Sequence, residues 1–434
     1  MGSTGGVPGG LDVQSIVQQI LYAERAPARR MELQRSQLQT TDSAYSDLLS
    51  KLSDLSGKLS GLINGTFAAK TATSSNPNAF TATASPSAQV GLYNIKITSL
   101  ASAGTYASNA WSTSTAALSL SGTFNVTLSG STQTITVATT DSLTAIQGKI
   151  NNAGLQATAS IITDSSGSRL SVISNSTGAA NDVTISANTV TGLAFTKTTT
   201  GADAAFQVNG ISVTSASNTV STVINGVTLN LLQADSTLTY SLSVASDLTS
   251  IKKSLNDFVS AYNALANYAK GQFAFDRAKN GAGVLAGDPA LRQIVGDLQY
   301  QLANSYAGNQ TYKTMASIGI EFQQDGTLAI NDSSLSAALT ANPTEVQNLF
   351  AASGSVGQNF NSSLTGASSP TSGYVPAART GIANLTSDIT KRIAVIDQRL
   401  AYRQQVLMDQ FSRADAALRN LAILQNQISS QLRG

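Results

Sequence analysis

The chain has 434 residues, and its 26 Lys and Arg residues against 24 Asp and Glu residues give a net charge of +2 at pH 7. This balance argues against nucleic acid as a partner. The sequence holds no cysteine and no histidine, which excludes disulfides, thiolate metal sites and the commonest general base.

The N-terminus predicts a flexible leader followed by two helical segments. Residues 1–10 are rich in glycine, and no cleavable signal pattern or run of 18 apolar residues is present, so no membrane insertion is expected. A first helix is predicted from Asp12, its N-cap, to Ala26, with Pro27 kinking or restarting it. Helix then continues to about Ile63, and its apolar residues repeat in heptads: Tyr45, Leu48, Leu52, Leu55, Leu59 and Leu62.

The middle of the chain is predicted to be rich in strands. Short strands are expected over 80–83, 91–100 and 103–110, and a ββαββ unit over about 112–200, with Asp141 capping its helix. Four more strands follow between 205 and 244, with turns at Asn209-Gly210 and Asn225-Gly226. We expect these four to pair with the strands at 80–110, so that the ββαββ unit is an insertion.

Helix returns from Asp247, and the segment up to 385 is predicted to be mixed. Asp288-Pro289 and Asn342-Pro343 begin helices, Asp332 caps another, and a β-hairpin turns at Asp325-Gly326. Residues 351–376 are rich in Gly, Ser and Pro and predict a long loop.

The last predicted helix runs from Asp388 to Leu432 and carries a heptad seam with one four-residue stutter near Leu407. A helix of some 45 residues with no following element to cover it needs a partner. The heptads near the N-terminus supply one, which favours a stalk carrying a head over a globular domain with long first and last helices.

No pattern of residues predicts a catalytic or cofactor site. Serine nucleophiles have no histidine to activate them. Paired carboxylates could hydrolyse glycosides, but every acidic residue between Glu32 and Glu321 is Asp, and most of these occupy predicted caps or turns. Trp111 could be a carbohydrate platform, although a linker or core aromatic is the more ordinary interpretation. We therefore expect no enzyme activity, no cofactor and no metal.

Several segments, in their order, resemble the flagellar filament-capping protein family, also called hook-associated protein 2. They are GLDVQSIVQQILYAERAPARRMELQRSQL (10–38), NIKITSLASAGTYAS (94–108), VLAGDPALRQI, SIGIEFQQDGTLAIND and NPTEVQNLF. The stretch FNVTLSGSTQTITVATTDSLTAIQGKIN is similar to a β-rich repeat inserted in flagellar axial proteins. The Gly/Ser-rich stretch at 351–376 departs from the family by its length.

The resemblance and the residue patterns together predict an α+β multidomain fold with a terminal α-helical coiled-coil stalk, a mixed helical/β body and two nested β-rich head domains. The predicted division is an N-terminal leg (1–45), body (46–75 and 247–385), head domain (76–111 and 201–246), inserted head domain (112–200) and C-terminal leg (386–434).

The resemblance implies a non-enzymatic cap at the distal tip of the flagellum, exported without a cleaved signal peptide. It implies a homo-oligomeric plate, a pentamer or a ring of nearby size, that retains exported flagellin and promotes its folding and insertion. Flagellin, the export chaperone and apparatus, and the hook-filament junction proteins are the expected partners. The leg residues expected to contact flagellin are Leu11, Val13, Ile16, Val17, Ile20, Leu21, Leu400, Leu407, Phe411, Leu418, Leu421, Ile428 and Leu432. Those expected to bind the chaperone are Leu407, Phe411, Leu418, Leu421, Leu424 and Ile428.

Two alternatives stay open at this point. One is a structural junction protein or tip adhesin of the same apparatus, which would add a host mucin or surface as partner. The other is a secreted glycan-acting enzyme, which would need two carboxylates in one cleft.

Overall fold

The computed structural model describes residues 12–276 and 281–431, so the leader predicted over residues 1–10 lies outside it. The α-helices of the described residues are α1 (Val13–Glu24), α2 (Ala26–Asn64), α3 (Leu143–Asn151), α4 (Leu248–Phe273), α5 (Pro289–Ala303), α6 (Asp332–Ala341), α7 (Pro343–Ala351), α8 (Val356–Ser368) and α9 (Tyr374–Gln431). The first strands are β1 (Lys70–Ser74), β2 (Phe80–Ala84), β3 (Gly91–Ser99), β4 (Thr105–Ser108), β5 (Gly122–Leu128), β6 (Ser131–Val137), β7 (Ala157–Asp164), β8 (Gly167–Ser174), β9 (Thr184–Ser186) and β10 (Phe195–Thr199). The others are β11 (Ala204–Val208), β12 (Ile211–Ser215), β13 (Thr219–Ile224), β14 (Val227–Leu231), β15 (Tyr240–Ser246), β16 (Phe275–Asp276), β17 (Gly281–Ala282), β18 (Ile320–Phe322) and β19 (Leu328–Ile330).

The chain forms two compact units. Unit 1 combines the described residues up to Thr66 with those from Lys252 onward, and unit 2 spans Phe67–Ile251. The fold is α+β and multidomain, as the sequence predicts. The finer division into seven ranges stays a prediction.

The first β-rich module of unit 2 holds a five-stranded sheet in the order β1-β15-β3-β11-β12 and a three-stranded sheet in the order β13-β14-β2. Its buried core includes Phe80, Ile95, Phe206 and Leu229. The predicted pairing of early with late strands is confirmed for β2 with β14 and for β3 with β11 and β15.

The second module of unit 2 is inserted in the first and has its own core around Phe124, Ile146 and Leu170. Its sheets have the orders β10-β4-β8-β7 and β6-β5-β9. The prediction that the strand over 103–110 joins the 205–244 set is wrong, because β4 pairs with β8 and β10. Apolar alternation marks β4 as a strand but does not encode its neighbour.

The structure confirms some predicted helix starts and corrects others. Asp288 caps α5, since its carboxylate accepts from the N–H groups of Ala290 and Leu291. The predicted caps Asp141 and Asp332 are wrong by one residue, because Ser142 and Asn331 supply the capping oxygens of α3 and α6.

The predicted loop over 351–376 is also wrong, because it contains α8 and the start of α9. Ser355 caps α8, and the buried Val356, Phe360 and Leu364 form its inner face. Tertiary burial therefore overrides the weak helix propensity of its Gly and Ser residues.

Candidate partner-binding surface

The helix break near the N-terminus falls at one residue, Arg25, between α1 and α2. Pro27 lies in the first turn of α2, where its missing N–H removes no intrahelical bond. The Arg25 guanidinium donates to Asp397 on α9 at 2.9 Å and to Glu32 on α2 at 2.8 Å. The bonds to Asp397 hold the break against α9, and the hydrogen bonds to both carboxylates raise the pKa of Arg25.

Helix α9 packs antiparallel along α1 and the first part of α2. Arg379 donates to Asp42 at 2.7 and 3.0 Å, and this bond lowers the pKa of the Asp42 carboxyl. Together with Arg25 and Asp397, this pair shows that residue numbers fall along α9 as they rise along α2. Ala28, Ile389 and Ile393 form the small buried core between these helices.

This register corrects the predicted partner of the heptads between Tyr45 and Leu62. Because α9 begins at Tyr374, only five residues before Arg379, it cannot reach the later heptads of α2. Those heptads are buried instead where α2 packs against α7 and α8. Tyr268 on α4 also donates to the carbonyl of Ala44 at 2.6 Å.

The structure divides the predicted leg residues into covered and exposed groups. Val17 and Leu407 are buried, while Val13, Ile16, Ile20, Leu21, Leu400 and Phe411 are half-buried. Four predicted residues are exposed: Leu418, Leu421, Leu424 and Ile428. Leu11 and Leu432 lie outside the described residues.

The exposed residues continue the covered face of α9. At about 100° per residue, Leu418, Leu421 and Ile428 fall within an arc of about 80° that also contains Leu407. Leu424 lies about 40° outside this arc, next to Ile428. We call Leu418, Leu421, Leu424 and Ile428 the tip stripe. Among the described residues, no helix is long and apolar enough to cross a membrane.

The residue patterns alone missed where the covered seam ends. Arg25 faces Asp397, and the two helices are antiparallel, so the first described residues of α1 lie opposite the part of α9 near Phe411. The tip stripe follows Phe411 in α9 and therefore lies beyond the described part of α1. The cross-helix ion pairs of α9 lie in the covered part, where Arg379, Asp397 and Arg403 pair with Asp42, Arg25 and Glu24. The sequence shows these charges but not their partners, because the partners depend on the register between two distant helices.

Comparisons with known proteins place the chain among flagellar proteins. Family models described as the N-terminus and C-terminus of flagellar hook-associated protein 2 match residues 9–104 and 201–422. Flagellar hook-associated protein 2 of Escherichia coli K12 is 29% identical over 98% of this chain and 97% of its own length. The B-type protein of Pseudomonas aeruginosa is 30% identical over 85% of this chain and 84% of its own.

A solved structure shows the same fold. The D1-D2-D3 domains of the flagellar cap protein FliD from Escherichia coli match with a TM-score of 0.61 and 30% identity, over 78% of this chain and 99% of that one. The two family-model matches leave residues 105–200, most of the inserted module, between them.

Proposed function

Because the chain belongs to the flagellar hook-associated protein 2 family, we propose that it is a non-enzymatic cap at the distal tip of the flagellar filament. The cap retains exported flagellin and promotes its folding and insertion into the filament. Copies of the chain assemble into a ring, a pentamer or one of nearby size, in which β-rich heads form a plate and terminal helices form legs. The protein reaches the tip by export without a cleaved signal peptide.

The tip stripe is the observation that carries this proposal. One face of α9 is covered by α2 and α1 as far as Leu407, and beyond it the same face exposes large apolar side chains. A helical stripe of this kind binds another amphipathic helix. We assign that role to flagellin at the filament tip and, before export, to the export chaperone, which would keep the same residues out of water. The export apparatus and the hook-filament junction proteins are the remaining partners.

Deletion of the gene tests the proposal directly. We expect flagellin monomers to be shed into the medium and filaments to be absent or stunted. Supplying the gene on a plasmid should stop the shedding and restore the filaments. Normal filaments together with lost attachment to mucin or a host surface would identify an adhesin instead and would overturn the cap.

A pair of substitutions tests the tip stripe. Leu421 is 59% exposed on the stripe, and Ile423 is 55% exposed on nearly the opposite side of α9. Because neither is buried, Leu421→Asp and Ile423→Asp should both leave the melting temperature of the purified protein unchanged. We expect only Leu421→Asp to shed flagellin in the complemented deletion strain. Equal shedding by the two variants would show that the face of α9 does not matter.

A further inference from the structure

The strand β6 of the inserted module has a free edge. It lies at the end of the sheet β6-β5-β9 and pairs only with β5 among the described strands. The two-residue turn Ser129-Gly130, with φ of 51° and 79°, makes Leu128 and Ser131 a hydrogen-bonded pair. Alternation along the ladder then turns the N–H and C=O groups of every second residue of β6 away from β5.

The outward residues are Thr132, Thr134 and Thr136, and side-chain contacts agree with this assignment. The Thr132 and Thr134 side chains contact Thr127 and Asn125 on β5 at 2.8 and 2.9 Å, as expected for pairs that exchange no backbone bonds. The carbonyl of Thr136 accepts from Lys149 on α3 at 2.9 Å, so it faces away from β5. Lys149 covers that end of the edge and leaves Thr132 and Thr134 open.

Helix α3 forms the second wall of a groove along this edge, with a volume of about 600 Å³. Asn151 fixes α3 on the side of β7, where its amide exchanges two bonds with the backbone of Ala159 at 2.7 and 3.0 Å. The groove lining of α3 is small or polar, and the buried Ile135 of β6 borders it. The groove is therefore preformed, with open backbone groups on one side.

Gly148 keeps the groove open without serving the packing of the module. A Cβ built on this glycine meets nothing within 4 Å, and the residue has ordinary helical backbone. Glycine is among the poorest helix formers, so its place in the middle of a nine-residue helix weakens α3. What the missing side chain provides is space for another backbone to approach.

We propose that this groove binds an extended segment of unfolded flagellin, which adds as a strand to β6. Backbone bonds to Thr132 and Thr134 hold the segment, and alternate side chains, small or apolar, face α3 and Ile135. The choice of flagellin as occupant rests on the proposed cap function. Nine residues line the groove, far fewer than the roughly 20–30 a side of a stable interface between copies, whereas a site of this size suits a segment that must be released.

The test uses the full-length protein and labelled ten-residue peptides that tile the flagellin of the same bacterium, with binding read by fluorescence anisotropy. We expect a few peptides of alternating small or apolar residues to bind. Gly148→Leu fills the groove and should weaken them about tenfold, while the melting temperature holds or rises. Gly366→Leu is the matched control, because Gly366 is an exposed glycine of α8 with the same open space.

A second pair of variants tests the backbone bonds themselves. Thr134→Pro removes an outward N–H without removing a ladder bond to β5, and Thr134→Val keeps that N–H. Only the proline variant should fail to bind the peptides. N-methylation of alternate amides in the peptide that binds most tightly should abolish its binding.

Three results would overturn the inference. Either no peptide binds, or the Gly148→Leu and Thr134→Pro variants bind the peptides as tightly as the wild type does. The third is that Gly148→Leu changes the sedimentation coefficient of the assembled protein. The last would make the groove an interface between copies. These measurements need no filament, so a negative outcome leaves the cap proposal standing, while flagellin shedding in the deletion strain tests the cap alone.

Discussion

At the scale of single residues, Asp141 ties the start of α3 to its module. Its nearly buried carboxylate accepts from the N–H of Ala138 at 2.7 Å and from the ammonium of Lys149 at 2.5 Å. These bonds, the backbone one first, hold the pKa of Asp141 below its ordinary value of 3.8. The carboxylate therefore stabilises the fold above about pH 4, and this contribution is lost as the pH falls through the lowered folded pKa.

We expect Asp141→Asn to lower the free energy of unfolding by about 2 kcal/mol at pH 7, since two bonds to a charged acceptor are weakened. Urea unfolding of wild type and variant at pH 7 and at pH 3 measures this difference, which should shrink at pH 3. The same difference at both pH values would mean that the ionised form of Asp141 contributes nothing.

Gly104 is a residue whose side chain is excluded by its surroundings. A Cβ there would stand 2.2 Å from the Oδ1 atom of Asp182 and 2.8 Å from the backbone nitrogen of Val183. Asp182 cannot readily yield, because it accepts from Gly201 at 2.8 Å and forms an ion pair with Lys197.

Gly104→Ala should therefore destabilise the protein by about 1–3 kcal/mol, a typical cost of overpacking. Gly148→Ala is the control, because its Cβ enters open space in a helix and should stabilise the protein by about 1 kcal/mol. Thermal unfolding of both variants shows whether each substitution lowers or raises the melting temperature. A neutral Gly104→Ala would show that the backbone around Asp182 shifts without cost.

At the scale of elements, the pairing of α9 with α1 and α2 depends on a narrow buried seam. Ile393 is 7% exposed within it, whereas Val395 on the same helix is 56% exposed. Ile393→Ala should cost about 2–4 kcal/mol, as other buried truncations do, and Val395→Ala less than about 0.5 kcal/mol.

Hydrogen exchange measures this pairing locally. Faster exchange of the amides around Ala28 and Met31 at the start of α2 in Ile393→Ala, with exchange in β5 and β8 unchanged, is the expected pattern. If the two alanine variants speeded exchange there equally, the seam would not be what holds α2 against α9.

Local chemistry explains which elements the sequence predicts well. Asp288-Pro289 combines a capping oxygen with a residue suited to the first turn, and α5 begins there. Turn chemistry works equally well at Asn209-Gly210, where both residues have positive φ, as a tight hairpin turn requires. The failures depend on tertiary contacts instead. The Gly and Ser residues around Phe360 and Leu364 predict a loop, but helix α8 forms there because these two apolar side chains are buried.

The candidate surface follows the same division. The heptad pattern identifies the apolar residues of α9, because their spacing is a local property. It does not show that Val17 and Leu407 are covered and Leu421 exposed, since that depends on the register between two ends of the chain. The groove along β6 is likewise invisible in the sequence, because which strand lies at a sheet edge depends on topology.

At the scale of the whole molecule, the insertion of one β-rich module in another has a definable boundary. Ser102 and Ala202 exchange backbone bonds at 2.9 and 3.1 Å, so the chain enters and leaves the inserted module side by side. The β4 strand follows directly and lies between β8 and β10 in its sheet. These contacts favour a boundary near residue 102, about ten residues before the predicted residue 112.

A pair of fragments tests this boundary. A fragment of residues 102–202 keeps β4 and the bridge that closes its ends, so it should fold alone and unfold in one cooperative transition. A fragment of residues 112–200 lacks β4, which leaves β8 and β10 without the strand that joins them and exposes part of the core around Phe124. We expect this shorter fragment to lose the cooperative transition in circular dichroism melts. Equal melting of the two fragments would mean that β4 does not stabilise the inserted module, although it pairs with β8 and β10.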